Sequence, residues 1–475
     1  MITRLRIKGF KNIIDAEFYF GPFNCLAGLN GVGKSNLFDA LMFLSALADK
    51  PFVEAARSVR GGDDMLRLRS GNEPGPIEFD LDVIIPPKGT DEFNQEAVAG
   101  GTYLNYKLAF DVGSVKREGY ESTVMELTSE ELTGYPRSYA TTALKFNPSK
   151  AWVNSVVKPM TRRRTFIKTE GDRILLQADR MKVEDKKWRG GGKPNVLNAR
   201  ILPRTVLSSA QNADENRTAV LMRKELRSWK RLQFEPSALG SQDEFDAPTS
   251  LDSKGAHIPA TLYRLASEGD REATYTKLAN RLAQLVEGVK STHVERDDSR
   301  RVFRFMMEDL EGLELPASSL SDGTLRFVAL ATIWQDSAEH GLICFEEPEN
   351  GIHPQKVDAM VDLLYEIATD AETAVDDNAP LRQVIITTHS PLVVERVDLD
   401  DLTFIETKYA RVDGRRVGGI GLAAPLGSWR AQVLEPINKA TVKRYLSGRP
   451  LIDPPKRDKP TLLSTEQYQT RLKLD

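Results

Sequence analysis

The chain has 475 residues, 40% of them apolar and 28% charged, with a formal net charge of −3. No run of 18 or more apolar residues occurs, which excludes a helical membrane-spanning protein, and the apolar share can bury a sizeable core, which excludes a wholly disordered chain. Two cysteines cannot form a disulfide framework, and Met1–Phe10 contains no apolar signal region with a cleavage site, so a reducing cytoplasm is the expected compartment.

The first third reads as strands. Leu5–Ile7 and Ala16–Phe20 are short β-like runs, and Phe23–Ala27 is an apolar run that ends in a glycine-rich turn. That turn, Gly28-Leu-Asn-Gly-Val-Gly-Lys-Ser35, matches G-x-x-x-x-G-K-[ST] in full, and a helix with Leu37, Leu41 and Leu44 on one face follows it. Glycines let such a loop wrap closely round phosphate with backbone N–H groups pointing inward. Asn30, Gly31, Gly33, Lys34 and Ser35 are therefore the expected phosphate-binding residues, with Lys34 reaching the β- and γ-phosphates and the Ser35 hydroxyl ligating Mg²⁺. Ile77–Ile85 and Leu104–Val112 alternate apolar and polar residues, the period of half-buried antiparallel strands.

The middle of the chain is basic and then helical. Residues 158–204 contain 14 Lys+Arg against 5 Asp+Glu, a local +9 that leaves about −12 for the remainder. Arg162, Arg163, Arg164, Lys186, Lys187 and Arg189 are candidate DNA contacts, because such a stripe can track phosphates without reading sequence. Helices are expected over Asp214–Leu232, which adds Arg223, Lys224, Arg227, Lys230 and Arg231 to the stripe, and over Ala273–Val289.

From Leu320 the pattern becomes α/β. Leu320-Ser-Asp-Gly-Thr324 precedes a run that is apolar on nearly all sides, a buried helix whose N-terminus is either an ordinary cap or an anion site. Leu342-Ile-Cys-Phe-Glu-Glu-Pro348 is a buried strand with two carboxylates at its C-terminal end, where α/β sheets place ligands. Glu346 suits Mg²⁺, and Glu347 is placed to polarise an attacking water. A helix can begin at Pro354, and a strand is expected over Gln383–Thr387. His389 follows that strand at the same sheet edge, and residues 448–460 read as a Pro- and Lys-rich tail. Cys25 and Cys344 read as small buried residues on neighbouring central strands.

Taken in this order, the motifs resemble the ABC-type ATPases of the SMC/RecF/OLD group, and in particular the bacterial RecF-like "AAA family ATPase" proteins of AAA_21. Leu5–Asn12 looks like that group's first strand, with Lys11 as a candidate nucleotide contact. Leu320–Thr324 looks like the ABC signature loop, Glu346–Pro354 is similar to the Walker B and D-loop, and Thr388–Pro391 to the switch histidine. The resemblance implies an α/β P-loop NTPase of ABC type with an N-terminal antiparallel β-subdomain and an inserted α+β lobe. The expected division is an ATPase head over 1–90 and 310–425, an inserted lobe over 91–309 and a tail over 426–475.

It further implies ATP and Mg²⁺ as cofactors, Glu347 and His389 as catalytic residues, and a homodimer in which Ser321 and Gly323 of one subunit cap nucleotide bound by the other. No Q-loop glutamine is found after the first helix, where Arg60–Arg69 stands instead. The expected role is ATP-driven work in DNA repair or in defence against foreign DNA. The alternatives are control of a separately encoded effector, a nuclease or toxin, and an OLD-like nuclease using Asp398, Asp400 and Asp401, acids that otherwise read as an exposed turn.

Overall fold

Two sheets organise the chain. The computed structural model describes residues 1–61, 76–117, 120–179, 195–376, 379–412 and 415–438, with short pieces at 181–182, 188–189, 441–442 and 444. Lys186, Lys187, residues 62–69 of the Q-loop search and the tail 448–460 lie outside the described residues, as does the side chain of Arg189.

The first sheet is antiparallel and eight-stranded, in the order 195–198, 173–176, 164–170, 120–134, 103–117, 77–84, 2–10 and 13–19. Alternation in Ile77–Ile84 places Ile77, Phe79, Leu81 and Val83 in the core, as the period of two requires. The sheet runs through the boundary expected at residue 90: Ile77–Ile84 pairs with Tyr103–Arg117 from Ile77↔Phe110 to Ile84↔Tyr103. The strands expected in an inserted lobe thus extend the N-terminal β-subdomain, because an edge strand with an apolar face is stabilised by continued pairing.

The second sheet has seven strands, in the order Lys230–Leu232, Gly341–Glu346, Arg382–Thr388, Phe23–Ala27, Leu402–Val412, Arg415–Pro425 and Glu435–Ile437. The first five are mutually parallel. Phe23–Ala27 is buried at every residue, as expected of a strand covered on both faces. Cys25 and Cys344 are both buried, but Arg382–Thr388 lies between their strands, so the two cysteines are not on neighbouring strands.

The expected helix Asp214–Leu232 ends early. It spans Ala213–Arg227, and Lys230–Leu232 crosses to the edge of the parallel sheet. Arg271–Leu285 is the other expected helix, and Val289 opens a strand instead of closing it. A 3₁₀ turn begins at Pro354 and the α-helix Val357–Ile367 follows.

The P-loop helix Lys34–Leu47 joins the two sheets. Phe43 on this helix meets Phe10, Phe79 and Phe110 of the antiparallel sheet at centroid distances of 5.9, 5.9 and 6.3 Å. Such aromatic pairs contribute about 0.5–1.5 kcal/mol each beyond their burial. They hold the β-subdomain against the helix that carries the phosphate loop. Among the described residues no helix is long and apolar enough to cross a membrane.

Candidate active site

The site forms where three parallel strands end together. Phe23–Ala27 runs into the glycine loop, Gly341–Glu346 into Glu347, and Arg382–Thr388 into His389. A cavity of about 750 Å³ opens there, lined among others by Asn30, Gly31, Gly33, Lys34, Ser35, Glu346 and Glu347. The expected phosphate-binding residues and both acids therefore share one space.

The glycines are required by close approach. A Cβ on Gly28 would stand 2.5 Å from the Ile405 carbonyl oxygen. Gly33 has φ +107°, and a Cβ there would stand 2.4 Å from Asn12 Nδ2. Asn12 is itself fixed, donating to the Val32 carbonyl at 3.3 Å and accepting from Asn36 at 2.7 Å. Lys34 Nζ donates to the Gly28 and Leu29 carbonyls. Burial lowers the Lys34 pKa, and the field of Glu347, Glu349 and Glu346 opposes that shift.

Glu347 is held from two sides. Its Oε1 lies 2.9 Å from His389 Nδ1, and its Oε2 accepts from Asn350 Nδ2 at 2.8 Å. Burial favours its neutral form, but Asn350, His389 and Lys34 together keep the carboxyl below its ordinary range. A Glu347 carboxylate is thus ionised and aimed at neutral pH. The backbone at Glu347 has φ +45°, an unusual conformation for a residue with a side chain. Glu349 ties the same turn to the histidine strand, accepting from Thr388 Oγ1 at 2.6 Å, while its Oε2 is buried without a partner.

Glu346 points the other way. Its Oε2 accepts from Arg231 at 2.5 Å, and its Oε1 is buried with no hydrogen-bond partner. An orphaned carboxylate oxygen on a residue that lines the cavity with Ser35 fits a hard dication with oxygen ligands. Among the described residues no group of three or more His, Cys, Asp or Glu side chains forms a metal cage. A cation here would therefore take the rest of its shell from phosphate oxygens and water.

The remaining expected residues lie elsewhere. Ser321 caps the helix Asp322–Gln335 by accepting from the Thr324 N–H at 3.2 Å, and it is exposed. Neither it nor Gly323 is among the residues lining the chain's own cavity. Lys11 is not among them either; its Nζ bonds Asp39 at 2.5 Å and the Arg60 carbonyl at 2.8 Å.

Arg162 and Arg163 are exposed, with Arg163 stacked over Tyr135. Arg164 is half-buried and donates to the Ala178 carbonyl. The helix part of the basic stripe is paired internally. Arg223 and Arg227 meet Asp49 and Glu92, Lys230 meets Glu339, and Lys224 donates to the Thr90 carbonyl. Asp400 and Asp401 are engaged too, the first by the Trp429 N–H and the second by the Tyr365 hydroxyl.

Gln233, Arg326 and Asn350 are among the cavity residues that the sequence reading did not single out. Gln233 directly follows Lys230–Leu232, the strand beside the acid strand, and so reaches the same edge as Glu347. A strand of three residues hidden behind a long charged helix gave no periodic signal, although a polar residue ending a βαβ strand would have been the cue. Arg326 reaches the cavity from the N-terminal part of the helix Asp322–Gln335, where burial lowers its pKa.

The chain is similar to several known proteins. Residues 23–91 and 187–395 match AAA_21, described as "AAA domain, putative AbiEii toxin, Type IV TA system". Over 70 residues the chain is 44% identical to the DNA replication and repair protein RecF of Porphyromonas gingivalis, a stretch covering 14% of this chain and 19% of that protein. It is 39% identical over 69 residues to RecF of Magnetococcus marinus, covering 14% and 18%. The chain thus spans about a fifth of the length of these curated relatives. Among solved structures, an SMC head bound to the C-terminal winged-helix domain of ScpA aligns over 89% of this chain and 98% of that one, at 14% identity and a TM-score of 0.46. An SMC head with an extended coiled coil, bound to a ScpA domain from Pyrococcus furiosus, aligns over 89% and 96%, at 13% identity and a TM-score of 0.43.

Proposed function

This chain belongs to the AAA_21 family, and on that premise we propose that it binds Mg·ATP and hydrolyses it as an ABC-type ATPase that switches a head-to-tail dimer. One observation carries the reading: the phosphate loop, the orphaned oxygen of Glu346 and the doubly held carboxylate of Glu347 line one cavity at one sheet edge. Lys34 and the loop N–H groups bind the phosphates. Ser35 and Glu346 would hold a divalent metal, which would supply positive charge against the phosphates. Glu347, ionised by its partners, accepts a proton from the attacking water, and His389 and Asn350 fix its direction. Gln233 lies beside the acids and serves as the polar contact of the Q-loop.

Ser321 and Gly323 are exposed or half-exposed and lie off their own cavity, which supports their use on a second subunit. Closure is then favoured by γ-phosphate contacts and relaxed on hydrolysis.

DNA is the preferred object of this switch. The relatives named above are DNA replication and repair proteins, and Arg162 and Arg163 are exposed just ahead of the strand Arg164–Glu170. Control of a separately encoded effector, in the cytoplasm, is the second reading. It is favoured by the internal pairing of Arg223, Arg227 and Lys230, which leaves a smaller basic surface than the composition implies.

Glu347→Gln tests the core of the proposal. It should retain ATP binding, lose hydrolysis by about 100-fold or more, and accumulate an ATP-dependent dimer on size exclusion. Undiminished turnover would remove Glu347 from its role. The same preparation at low salt discriminates the two objects: nucleic acid travelling with the dimer supports DNA, whereas a stoichiometric protein supports effector control.

A further inference from the structure

Arg231 was expected on a nucleic-acid stripe, yet its side chain is only 10% exposed and lies behind the acids of the cavity. Its strand pairs in parallel with the acid strand, Arg231 opposite Cys344, which sets the guanidinium beside Glu346. The fork reaches two acids. Nη1 donates to Asp39 Oδ1 at 3.0 Å and Nη2 to Glu346 Oε2 at 2.5 Å.

Asp39 does not need this partner for its charge. It is 1% exposed and also takes Lys11 on its other oxygen and Arg60 on both. Two carboxylates, Asp39 and Glu346, are thus met by three cations, Lys11, Arg60 and Arg231. This cluster has a net charge of +1 before any ligand arrives. Of the other acids at the site, Glu347 is hydrogen-bonded to Asn350 and His389 and Glu349 to Thr388 through one oxygen, and Lys34 lies in the field of both. A fixed cation on a metal-binding carboxylate competes with a dication for the same charge. It also fixes the carboxylate's rotation, since a forked arginine accepts few geometries.

We propose that Arg231 is a positioning residue that holds Glu346 so that Oε1 alone is left for a metal, and that its charge makes divalent-metal binding here conditional on nucleotide phosphates. This rests on the reading of Glu346 as the metal acid. Metal enters with the nucleotide, and metal without nucleotide is held weakly. The same fork links Glu346 to Asp39 on the P-loop helix, and through Asp39 to Lys11 and Arg60. A glutamate at 346 is long enough to serve both Arg231 and the cavity.

Mn²⁺ binding to the full-length chain, followed by electron paramagnetic resonance with and without ADP, tests this apart from turnover. The parent should bind Mn²⁺ weakly alone and at least about tenfold more tightly with ADP. Arg231→Gln should bind Mn²⁺ alone about tenfold more tightly than the parent, and the gain should vanish in Arg231→Gln/Glu346→Gln. Arg231→Lys, which keeps the charge, should resemble the parent. Glu346→Asp, which keeps the acid but shortens it away from Arg231, should shift Mn²⁺ affinity upward as Arg231→Gln does, and so decides the matter if Arg231→Gln does not fold. Unchanged or weaker Mn²⁺ binding in both Arg231→Gln and Glu346→Asp, in a parent that binds Mn·ADP, overturns the role of Arg231 alone. A parent that binds no Mn·ADP overturns the metal-site reading as well.

Discussion

Glu130 shows at the residue scale how burial and hydrogen bonding compete in this chain. Its carboxylate is fully buried and accepts from the Val206 and Leu207 N–H groups and the Tyr106 hydroxyl. Burial raises its pKa from 4.5 to about 7, and the three donors offset only part of that shift. The folded state therefore holds its proton to higher pH than the unfolded chain does. Stability contributed by the protonated group is fully present below pH 4.5 and is lost as pH rises through about 7. The difference in urea stability between the parent and Glu130→Gln, measured from pH 4 to 8, should change in that window and be flat above it. Glu347 is the opposite case. Its partners keep it ionised, and its φ of +45° costs of order 1 kcal/mol or more, which the surrounding bonds sustain. Its identity as a strand-end acid was legible in the sequence. Its orientation was not, because Asn350 and His389 reach it from a turn and from another strand.

At the scale of elements, the phosphate loop is fixed by a neighbour from the first hairpin. Asn12 fills the space beside Gly33 and bonds both Val32 and Asn36, so the loop is preformed. Gly33→Ala puts a methyl group on Asn12 at a positive φ, a strain of about 1–3 kcal/mol. ATP affinity, read by a fluorescent analogue, should fall about tenfold or more while the melting temperature moves by only a few degrees. The motif announced the loop, but no pattern announced Asn12 as its clamp. The helix Asp322–Gln335 was read correctly as buried, with Leu325, Phe327, Val328, Leu330 and Ile333 all in the core. The short strand Lys230–Leu232 was read as helix, since its charged residues continue the helical pattern of Ala213–Arg227. Parallel pairing with Gly341–Glu346 decided otherwise, because Leu232 and the flanking Trp229 find burial there.

At the scale of the molecule, a nucleotide capped by a second subunit predicts complementation between dead variants. Lys34→Ala loses the phosphate loop, and Ser321→Arg blocks the cap it offers to its partner. Each alone should be inactive. Mixed in equal amounts, they pair at random, half the dimers are mixed, and each mixed dimer has one complete site of two. ATPase activity should recover to about a quarter of the parent's. No recovery, in variants that still associate, would place the signature loop in its own subunit's site.

The sequence by itself determined the glycine loop, the paired acids, the histidine at a strand end and the buried strands that carry them, because close phosphate approach and burial on both faces leave few residue choices. It also carried the family. Tertiary structure alone decided the charges. Net charge and a local excess of Lys and Arg are sums, and sums do not show that Arg223, Arg227, Lys230 and Arg231 face acids from distant segments. Nor do they show that Glu346 is shared between an arginine and a cavity. Electrostatic roles follow distance and burial, which only the folded chain fixes.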